Sequence, residues 1–392
     1  MQNRLDRITI KGFKSIKNLE DFKLNNLNVL IGGNGSGKSN FIDFFRMIRV
    51  AMGHEIPDVG TNLETFFEMH GRISNLLFNG SKVTDEILAG LTVDGEEQSF
   101  SIKPGYDERP VVQTNNGQAA SGALLGAFLG GILGGSKGAA TGALLGAGLS
   151  GNGRSQQSSS ENQQCEVGTS GEIRLSGGAI APYHFHDTER KAKKRQYEII
   201  QDSAYLRLDA SNIAPFLLNL KTEFPNSYED IVETVQTVTP FFDDFNLNIK
   251  KTADREEVRL DWRQVNSDFP MQPYHLSDGT LRFICLATAL LQPCPPGIII
   301  IDEPELGLHP FALGILAELI QDASTRSQII IATQSTELVN YFSPEDVVVV
   351  NRKGGASTFN RLDSDDLGLW LEDYSLGQLW QKNVIAGGPD YE

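Results

Sequence analysis

The chain has 392 residues, of which 40% are hydrophobic, and a net charge of −16. This length exceeds a typical domain of roughly 100–200 residues, so we expect one elaborate domain or two lobes around a sizeable core. The negative charge excludes a general electrostatic hold on nucleic acid, so contact with DNA would need a local basic patch.

The first predicted elements are strands. Residues 4–33, RLDRITIKGFKSIKNLEDFKLNNLNVLIGG, predict two or three of them, because polar and apolar residues alternate and LNVLI is a short apolar run that ends at glycine. A helix is predicted from Lys38 to about Met52, with its large apolar residues broadly on one side. The segment ILAGLTVDGEEQSFSIKP then predicts a hairpin that turns at Asp94-Gly95.

The composition changes abruptly between residues 113 and 171. Glycine recurs at every fourth position from Gly122 to Gly146, and a low-complexity stretch, GNGRSQQSSSENQQ, follows. A glycine costs up to about 1 kcal/mol in a water-exposed helix, so a helix here needs close packing against another helix or lipid. Three interpretations stay open: a flexible or locally folded insert, a self-association element, and membrane insertion through residues 119–150.

Ordered sequence resumes near Glu172, and the second half of the chain is rich in helices. Two helices are predicted on either side of Pro225, and FNLNIKKTADREEVRLDWRQV predicts a hairpin. Helices and buried strands then alternate through LSDGTLRFICLATALLQ, GIIIIDEP, PFALGILAELIQDAS, SQIIIATQS and EDVVVVNR. The chain therefore predicts an α/β fold with a mainly parallel core sheet, an antiparallel N-terminal sheet and an acidic helical segment near its C-terminus.

The segment GGNGSGKS fits the phosphate-loop pattern G-x-x-x-x-G-K-[ST] between a predicted strand and a predicted helix. An ordinary glycine turn is the alternative, and it does not explain these flanks. We expect Lys38 to reach the β- and γ-phosphates and the Ser39 hydroxyl to bind Mg²⁺, beside the positive end of the helix. The predicted nucleotide-binding residues of this segment are Gly32, Asn34, Gly35, Gly37, Lys38, Ser39 and Asn40.

Two acidic residues, Asp302 and Glu303, follow the apolar run GIIII. Carboxylates at the carboxyl edge of a parallel sheet lie in the ligand crevice. Asp302 suits the Mg²⁺ shell, directly or through water, and Glu303 can orient and activate an attacking water. The alternative is that both acids only cap the loop into the next helix. Glu305 has two open interpretations: it is either a solvated acid or a functional one.

These motifs, in this order, resemble the ABC-type ATPase heads of the SMC and RecF class. The closer resemblance is to the stand-alone bacterial AAA-family ATPases of the AAA15/AAA21 group, which are related to the OLD-type ATPases. The residues that carry it are the segment ITIKGFKSIKNLEDFKLNNLNVLIGGNGSGKSNFIDFFR, the middle segment YHFHDTE, the signature LSDGT about 25 residues before Asp302, and the segments ELGLHP and LEDYSLGQLWQKNV. The similarity covers the chain except for residues 113–171.

The resemblance implies a P-loop ABC-type ATPase head with two lobes. Four segments follow from it: an N-terminal ATPase lobe over residues 1–112, the glycine-rich insert over 113–171, a middle helical and β lobe over 172–270, and a C-terminal ATPase lobe over 271–392. The N-terminal lobe would hold the phosphate loop, and the C-terminal lobe would hold the signature, the acidic pair and the switch residue. The long coiled-coil arms of SMC proteins are not expected, because no sustained heptads occur.

The resemblance also implies a head-to-head dimer with ATP held between the phosphate loop of one subunit and the signature of the other. Ser277 and Gly279 would contact the γ-phosphate of the partner's nucleotide, and a Ser-capped helix start is a reasonable anion site. Lys14 and Ser15 would lie near the nucleotide. The loop from Leu306 to His309 would cross the dimer interface.

One position departs from the ABC pattern. Many ABC heads carry a switch histidine after the next strand, where IIIATQSTEL places Gln334. Glutamine can hydrogen-bond to the γ-phosphate or position water, but it cannot become a cation or shuttle a proton. Lys38, Glu303 and Gln334 are therefore the predicted catalytic residues, and we expect slow, dimer-controlled hydrolysis.

Two smaller groups complete the candidates. His184 and His186 are predicted on one side of a strand, a spacing that a metal could use, although no fourth ligand is evident. The second group is a basic cluster that consists of Arg190, Lys191, Lys193, Lys194 and Arg195. On this acidic chain a solvated face is the better interpretation of the cluster, and a DNA-phosphate site is the alternative.

Three functions are compatible with these motifs. The first is an ATPase that acts as sensor or regulator for a separately encoded effector, for example a nuclease in anti-phage defence, by analogy with the family. The second is a RecF-like ATPase that binds DNA ends in repair, and the third is a nucleotide-gated membrane-active protein that uses the glycine segment. The odd number of cysteines and an N-terminus without the run of a signal peptide predict a cytoplasmic protein, and we expect no appended TOPRIM nuclease.

Overall fold

The computed structural model describes residues 4–52, 54, 63–93, 95–105, 109–114, 119–120, 180–252 and 254–385. The glycine segment and the low-complexity stretch, on which three interpretations depend, lie outside the described residues. The described chain forms two six-stranded sheets, two smaller sheets and the helices around them. The division into four segments stays a prediction.

The described helices and strands are listed here in chain order. The strands are β1 (Leu5–Phe13), β2 (Ile16–Lys23), β3 (Leu27–Ile31), β4 (Ile87–Val93), β5 (Glu96–Pro104), β6 (Pro110–Thr114), β7 (Ala119–Ala120), β8 (Ile180–Tyr183), β9 (Glu198–Ile199), β10 (Phe242–Asn246), β11 (Lys250–Lys251), β12 (Glu256–Val258), β13 (Asp261–Gln264), β14 (Ile298–Asp302), β15 (Gln328–Thr333), β16 (Val347–Lys353) and β17 (Ala356–Arg361). The helices are α1 (Lys38–Ala51), α2 (Leu63–Met69), α3 (Ile73–Leu76), α4 (Ile213–Glu223), α5 (Pro225–Val238), α6 (Asp278–Leu291), α7 (Pro310–Ala323), α8 (Thr336–Val339), α9 (Ser364–Leu371) and α10 (Leu376–Gln381).

The N-terminal sheet has the order β2-β1-β4-β5-β6-β7, and every neighbouring pair is antiparallel. Lys14 and Ser15 form the two-residue turn between β1 and β2, and Lys14 has a left-handed φ of 50°, as tight hairpin turns require. Val93 of β4 pairs with Glu96 of β5, so the predicted hairpin is confirmed. The antiparallel N-terminal sheet is also confirmed.

The core sheet has the order β17-β16-β3-β15-β14-β8. All of its pairs are parallel except β16 with β17, so the prediction of a mainly parallel core is confirmed. β3 lies between β15 and β16, two strands that follow it by about 300 residues. Because the strands run parallel, the loops after β3, β14 and β15 meet at one edge of the sheet.

The core is built around the aromatic residues of α1. Phe44 lies edge-on to Phe13 of β1 with ring centroids 5.6 Å apart, and Phe41 lies 5.3 Å from Phe359 of β17. Full burial of such a side chain contributes about 1.5–3 kcal/mol. Helix α1 also packs against β8 and β14, so it joins the N-terminal sheet, the core sheet and the C-terminal hairpin.

The remaining helices continue from this core. Pro225 opens α5 after α4, as predicted, at a position where its missing N–H costs nothing. Helix α6 packs against α5 and α7, and α10 packs against α8. Within the described ranges, no helix is both long and apolar enough to cross a membrane.

Candidate nucleotide site

Two glycines of the phosphate loop, Gly32 and Gly37, cannot be replaced without a clash. Gly32 has a φ of 153°, and a Cβ there would stand 2.2 Å from the Val350 carbonyl oxygen. Gly37 has a φ of 116°, and its Cβ would stand 2.0 Å from Ser357 Oγ. The loop is therefore held close to the hairpin formed by β16 and β17, because Gly32 and Gly37 have no side chains that would separate the two.

Lys38 turns its side chain back into the phosphate loop. Its Nζ donates to the carbonyl oxygens of Gly32 at 2.5 Å and Gly33 at 3.2 Å. Burial lowers the pKa of Lys38, and the charges of the three nearby acids, Asp302 first, oppose that shift. A buried ammonium with only carbonyl partners suits an anionic ligand. Asn34, Gly35 and Ser39 are exposed around it.

The turn between β1 and β2 reaches the phosphate loop, as the resemblance implied for Lys14 and Ser15. Ser15 Oγ lies 2.6 Å from Ser357 Oγ and accepts from Asn40 Nδ2 at 2.6 Å. Ser357 Oγ donates in turn to the Ser36 carbonyl oxygen at 2.6 Å. A chain of buried hydroxyls thus ties the phosphate loop to β17. Lys14 does not point freely into the site, because its Nζ pairs with Asp43 Oδ2 of α1 at 2.7 Å.

The acidic pair and Gln334 meet at the edge of the core sheet. Glu303 has a left-handed φ of 45°, a strained conformation for a non-glycine residue, and its N–H donates to the Ala332 carbonyl at 2.8 Å. Gln334 Nε2 donates to Glu303 Oε1 at 2.5 Å. Glu305 Oε1 accepts from the Gln334 N–H at 3.0 Å, so Glu305 is half-buried beside Gln334, and a functional role for it stays a prediction.

Asp302 and Ser39 fit the oxygen ligands that Mg²⁺ prefers. Burial and the neighbouring Glu303 raise the pKa of Asp302, while Arg46, His186 and Lys38 oppose the shift. Among the described residues there is no group of three His, Cys, Asp or Glu side chains that could enclose a metal. Mg²⁺ needs no such cage, since it keeps water ligands and binds phosphates beside one or two protein oxygens.

The signature segment presents a capped helix start to solvent. Ser277 is exposed, and its Oγ accepts from the Thr280 N–H at 3.0 Å, so the predicted cap is confirmed. A Cβ on Gly279 would stand 2.2 Å from the Gly307 carbonyl oxygen. Helix α6 therefore lies directly against the loop after β14.

Two buried arginines hold this helix, and the sequence did not reveal either of them. Arg195 Nε donates to the Thr188 carbonyl at 3.0 Å, and its guanidinium also contacts the carbonyls of Pro273 and Leu276 and Asp278 Oδ1. Lys194 is buried too, with its Nζ 3.3 Å from the Phe185 carbonyl. The prediction of a solvated face is therefore wrong for Lys194 and Arg195, which also leaves fewer cations for DNA.

Arg282, the second arginine, links α6 to both neighbouring loops. Its guanidinium donates to the Leu306 carbonyl and, at 3.2 Å, to the His186 carbonyl. The ring of His186 lies 3.0 Å from the Asp302 carbonyl oxygen and stacks on His184 with centroids 4.3 Å apart. Both histidines follow β8, which ends at Tyr183, so they lie beyond the strand on which they were predicted.

The predicted site residues thus fall into two groups. One group gathers at the carboxyl edge of the core sheet: Gly32, Asn34, Gly35, Gly37, Lys38, Ser39, Asn40, Ser15, Asp302, Glu303 and Gln334. Lys14 lies in the adjoining turn and pairs with Asp43. The other group, Ser277 and Gly279, contacts the loop at Gly307.

Two family models match the chain. Residues 178–340 match a model described as "AAA domain, putative AbiEii toxin, Type IV TA system", and residues 7–118 match one described as "AAA domain". A "Putative ABC transporter ATP-binding protein" of Methanosarcina acetivorans is 25% identical over 184 residues, which are 45% of this chain and 63% of that protein. The energy-coupling factor transporter ATP-binding protein EcfA of Methanocaldococcus jannaschii is 24% identical over 43% of this chain and 60% of its own length. The chain therefore spans less than two thirds of these relatives.

Solved structures of similar fold are heads of SMC proteins. An SMC head bound to the C-winged helix domain of ScpA matches 93% of this chain and 99% of its own, with a TM-score of 0.58 and 17% identity. An SMC head with an extended coiled coil, bound to the C-terminal domain of ScpA derived from Pyrococcus furiosus, matches 94% of this chain and 98% of its own, with a TM-score of 0.53 and 16% identity.

Proposed function

The chain carries AAA-family domains and has the fold of an ABC-type ATPase head of the SMC class, and from this premise we propose that it hydrolyses ATP slowly as a head-to-head dimer. The bound nucleotide would then be the signal that this head gives to a separately encoded effector. ATP and Mg²⁺ are the substrate and the cation of the ATPase class.

The observation that carries the proposal is the separation between the catalytic residues at the sheet edge and the exposed signature at the start of α6. Lys38, Glu303 and Gln334 converge at the sheet edge, while the exposed Ser277 bonds Thr280 of its own helix. A signature that faces solvent as a capped helix start is a reasonable anion site. In the proposed dimer, the γ-phosphate of the ATP bound to a second copy, turned head to head, would lie against it.

Within this site the chain's own residues have distinct roles. The phosphate-loop N–H groups and Lys38 bind the phosphates, and Glu303 accepts the proton of the attacking water. Gln334 holds the Glu303 carboxylate through the bond at 2.5 Å, so it is a positioning residue. Ser39 and Asp302 would hold Mg²⁺, which would neutralise charge on the phosphates. Because Gln334 carries no titratable proton, we expect slow turnover.

Two of these similarities support a partner protein. One matching family model names a toxin of a type IV toxin–antitoxin system, a setting with two gene products. The SMC heads of similar fold were solved with a domain of ScpA bound. We extend this to a regulatory role beside a separate effector, for example a nuclease in anti-phage defence.

The test is the Glu303→Gln variant. Removal of the carboxylate takes away the base but leaves the phosphate loop intact, so we expect hydrolysis to fall at least about 100-fold, in line with the usual contribution of general-base catalysis. ATP binding should stay within twofold, and the ATP-bound dimer should accumulate. Steady-state phosphate release and light scattering measure these two effects, and co-purification with the products of neighbouring genes tests for an effector.

Glu318→Gln is the matched control, because Glu318 is an exposed acid on α7 outside the site. It should hydrolyse ATP at the parent rate. Normal hydrolysis by Glu303→Gln would remove Glu303 from the catalytic role. Turnover of hundreds of ATP per second by the parent protein would contradict slow, dimer-controlled hydrolysis.

A further inference from the structure

Helix α9 exposes large apolar side chains that the ATPase site does not use. Leu369 is 84% exposed and Trp370 is 48% exposed, whereas Leu367 of the same helix is buried. Leu369 has the largest exposed fraction among the large hydrophobic side chains of the described chain. Exposure of this kind marks an interaction surface when it is concentrated and has a polar rim.

The rim of this surface is acidic. Asp366 precedes Leu369 and Trp370 by three and four positions on α9, so these three side chains share one side of the helix. Asp373 is exposed just after the helix ends at Leu371. Asp365 and Glu372 are exposed beside them. In the part of the chain that the structure describes, none of these four acids forms an ion pair. We call these six residues the α9 face.

The charge of the α9 face selects its occupant. Nucleic acid and anionic membranes would meet four unpaired carboxylates with negative charge of their own. A second copy of this chain, with a net charge of −16, would do the same. We propose that the α9 face docks a segment of a different protein in which Lys or Arg residues flank apolar side chains, and that this docking acts on the switch residue Gln334. The proposal rests on the effector role proposed above.

The route to the switch runs through α10, which follows α9 after a short turn. The Gly377 N–H donates to Asn340 Oδ1 at 2.7 Å, and Gln381 Nε2 donates to Thr336 Oγ1 at 3.0 Å. Asn340 and Thr336 belong to the end and the start of α8, which begins two residues after Gln334. The contact is close, since a Cβ on Gly377 would stand 2.1 Å from the Thr336 carbonyl oxygen. We therefore expect a displacement of α9 that moves α10 to reach the segment that holds Gln334.

The occupant can be captured in the host that carries the natural gene. A photo-reactive benzophenone amino acid at Leu369 of the full chain should cross-link to another protein, and mass spectrometry should locate the cross-link in a segment rich in Lys or Arg. The double variant D366K/D373K should reduce that cross-link at least tenfold. The control probe at Phe269, which is 67% exposed and lies before α6, should not capture the same segment.

A synthetic peptide of the captured segment then tests the coupling. It should bind the parent protein with an affinity that falls as salt rises, and it should change the ATPase rate at least threefold. In Gln381→Ala it should still bind, but the change in rate should shrink. Cross-links only to a second copy, to lipid, to nucleic acid or to an acidic segment would overturn the proposal, and so would the absence of any cross-link.

Failure here is distinguishable from failure of the proposed function. Substitution of Leu369 and Trp370 by Ser should leave the ATPase rate of the isolated protein within twofold of the parent. Glu303→Gln tests hydrolysis without any partner, so its result decides the ATPase assignment and does not depend on whether the α9 face binds another protein.

Discussion

At the residue scale, the phosphate loop depends on a side chain from the opposite end of the chain. Ser357 Oγ donates to the Ser36 carbonyl oxygen and lies 2.6 Å from Ser15 Oγ. Its N–H donates to the Ser15 carbonyl at 2.7 Å. Three segments thus share one hydroxyl, and buried hydroxyls of this kind fix a single loop conformation. Ser357 positions the phosphate loop, although it is not placed to touch the nucleotide in the way Lys38 is.

We expect Ser357→Ala to weaken ATP binding. Loss of a buried hydrogen bond costs about 1 kcal/mol, which is about a fivefold increase in the dissociation constant. The maximal hydrolysis rate should change less than the KM, because Glu303 and Gln334 are untouched. Titration with a fluorescent ATP analogue measures the affinity. The neighbouring Thr358→Ala should bind ATP like the parent, and equal affinity in both variants would remove Ser357 from this role.

At the scale of elements, α6 and the loop after β14 form one unit. Gly279 lies against Gly307, and Arg282 joins the helix to the Leu306 carbonyl from the other side. The signature and the loop that would cross the dimer interface therefore move together. A second copy that binds ATP through Ser277 would also shift the loop that begins at Asp302.

Gly279→Ala should separate these two elements. The added Cβ meets the Gly307 carbonyl oxygen at 2.2 Å, so either the helix start or the loop must move. We expect ATP affinity of the monomer to stay within twofold and ATP-driven dimerisation to weaken at least tenfold, as measured by light scattering against ATP concentration. Gly368→Ala, where a Cβ meets nothing within 4 Å, is the control. Dimerisation of Gly279→Ala at the parent's ATP concentration would contradict the proposed interface.

Some parts of the site can be predicted from the sequence and others cannot. The phosphate loop and the acidic pair were predictable, because each lies within a few residues and follows a strand. Arg195 and Ser357 were not, since their partners Asp278 and Ser15 lie 83 and 342 positions away. In the sequence, Arg195 looks like the other cations of its run. Only the fold shows that it is buried against backbone carbonyls.

At the scale of the whole molecule, two histidines of the acidic chain lie in cationic surroundings. Burial and Arg49 lower the pKa of His54 from 6.5 to about 4. Partial desolvation lowers the pKa of His184 likewise to about 4, even though part of the ring is exposed, and nearby charges add smaller contributions. These charges are His186, Arg46, Lys194 and Arg282. In the unfolded chain these two histidines are protonated near pH 6.5, whereas in the folded chain they are protonated only near pH 4.

The free energy of unfolding should therefore fall as the pH is lowered from 6.5 to 4, and this contribution should level off below pH 4. Urea unfolding midpoints at pH 7.5, 6.0, 5.0 and 4.5 measure the decline. His184→Gln should lose part of it, because Gln takes no proton in either state. An unchanged slope in His184→Gln would contradict the lowered pKa.

The position of β3 in the core sheet has a consequence for synthesis. The strand that leads into the phosphate loop leaves the ribosome long before its two neighbours, which begin only at Gln328 and Val347. Until those strands emerge, β3 has two unpaired edges, and Ser357 is not yet present to brace the loop. A nascent chain therefore cannot assemble its nucleotide pocket in stages. ATP binding becomes a property of the finished polypeptide, and a chain cut before β15 carries the phosphate-loop residues without the scaffold that shapes them.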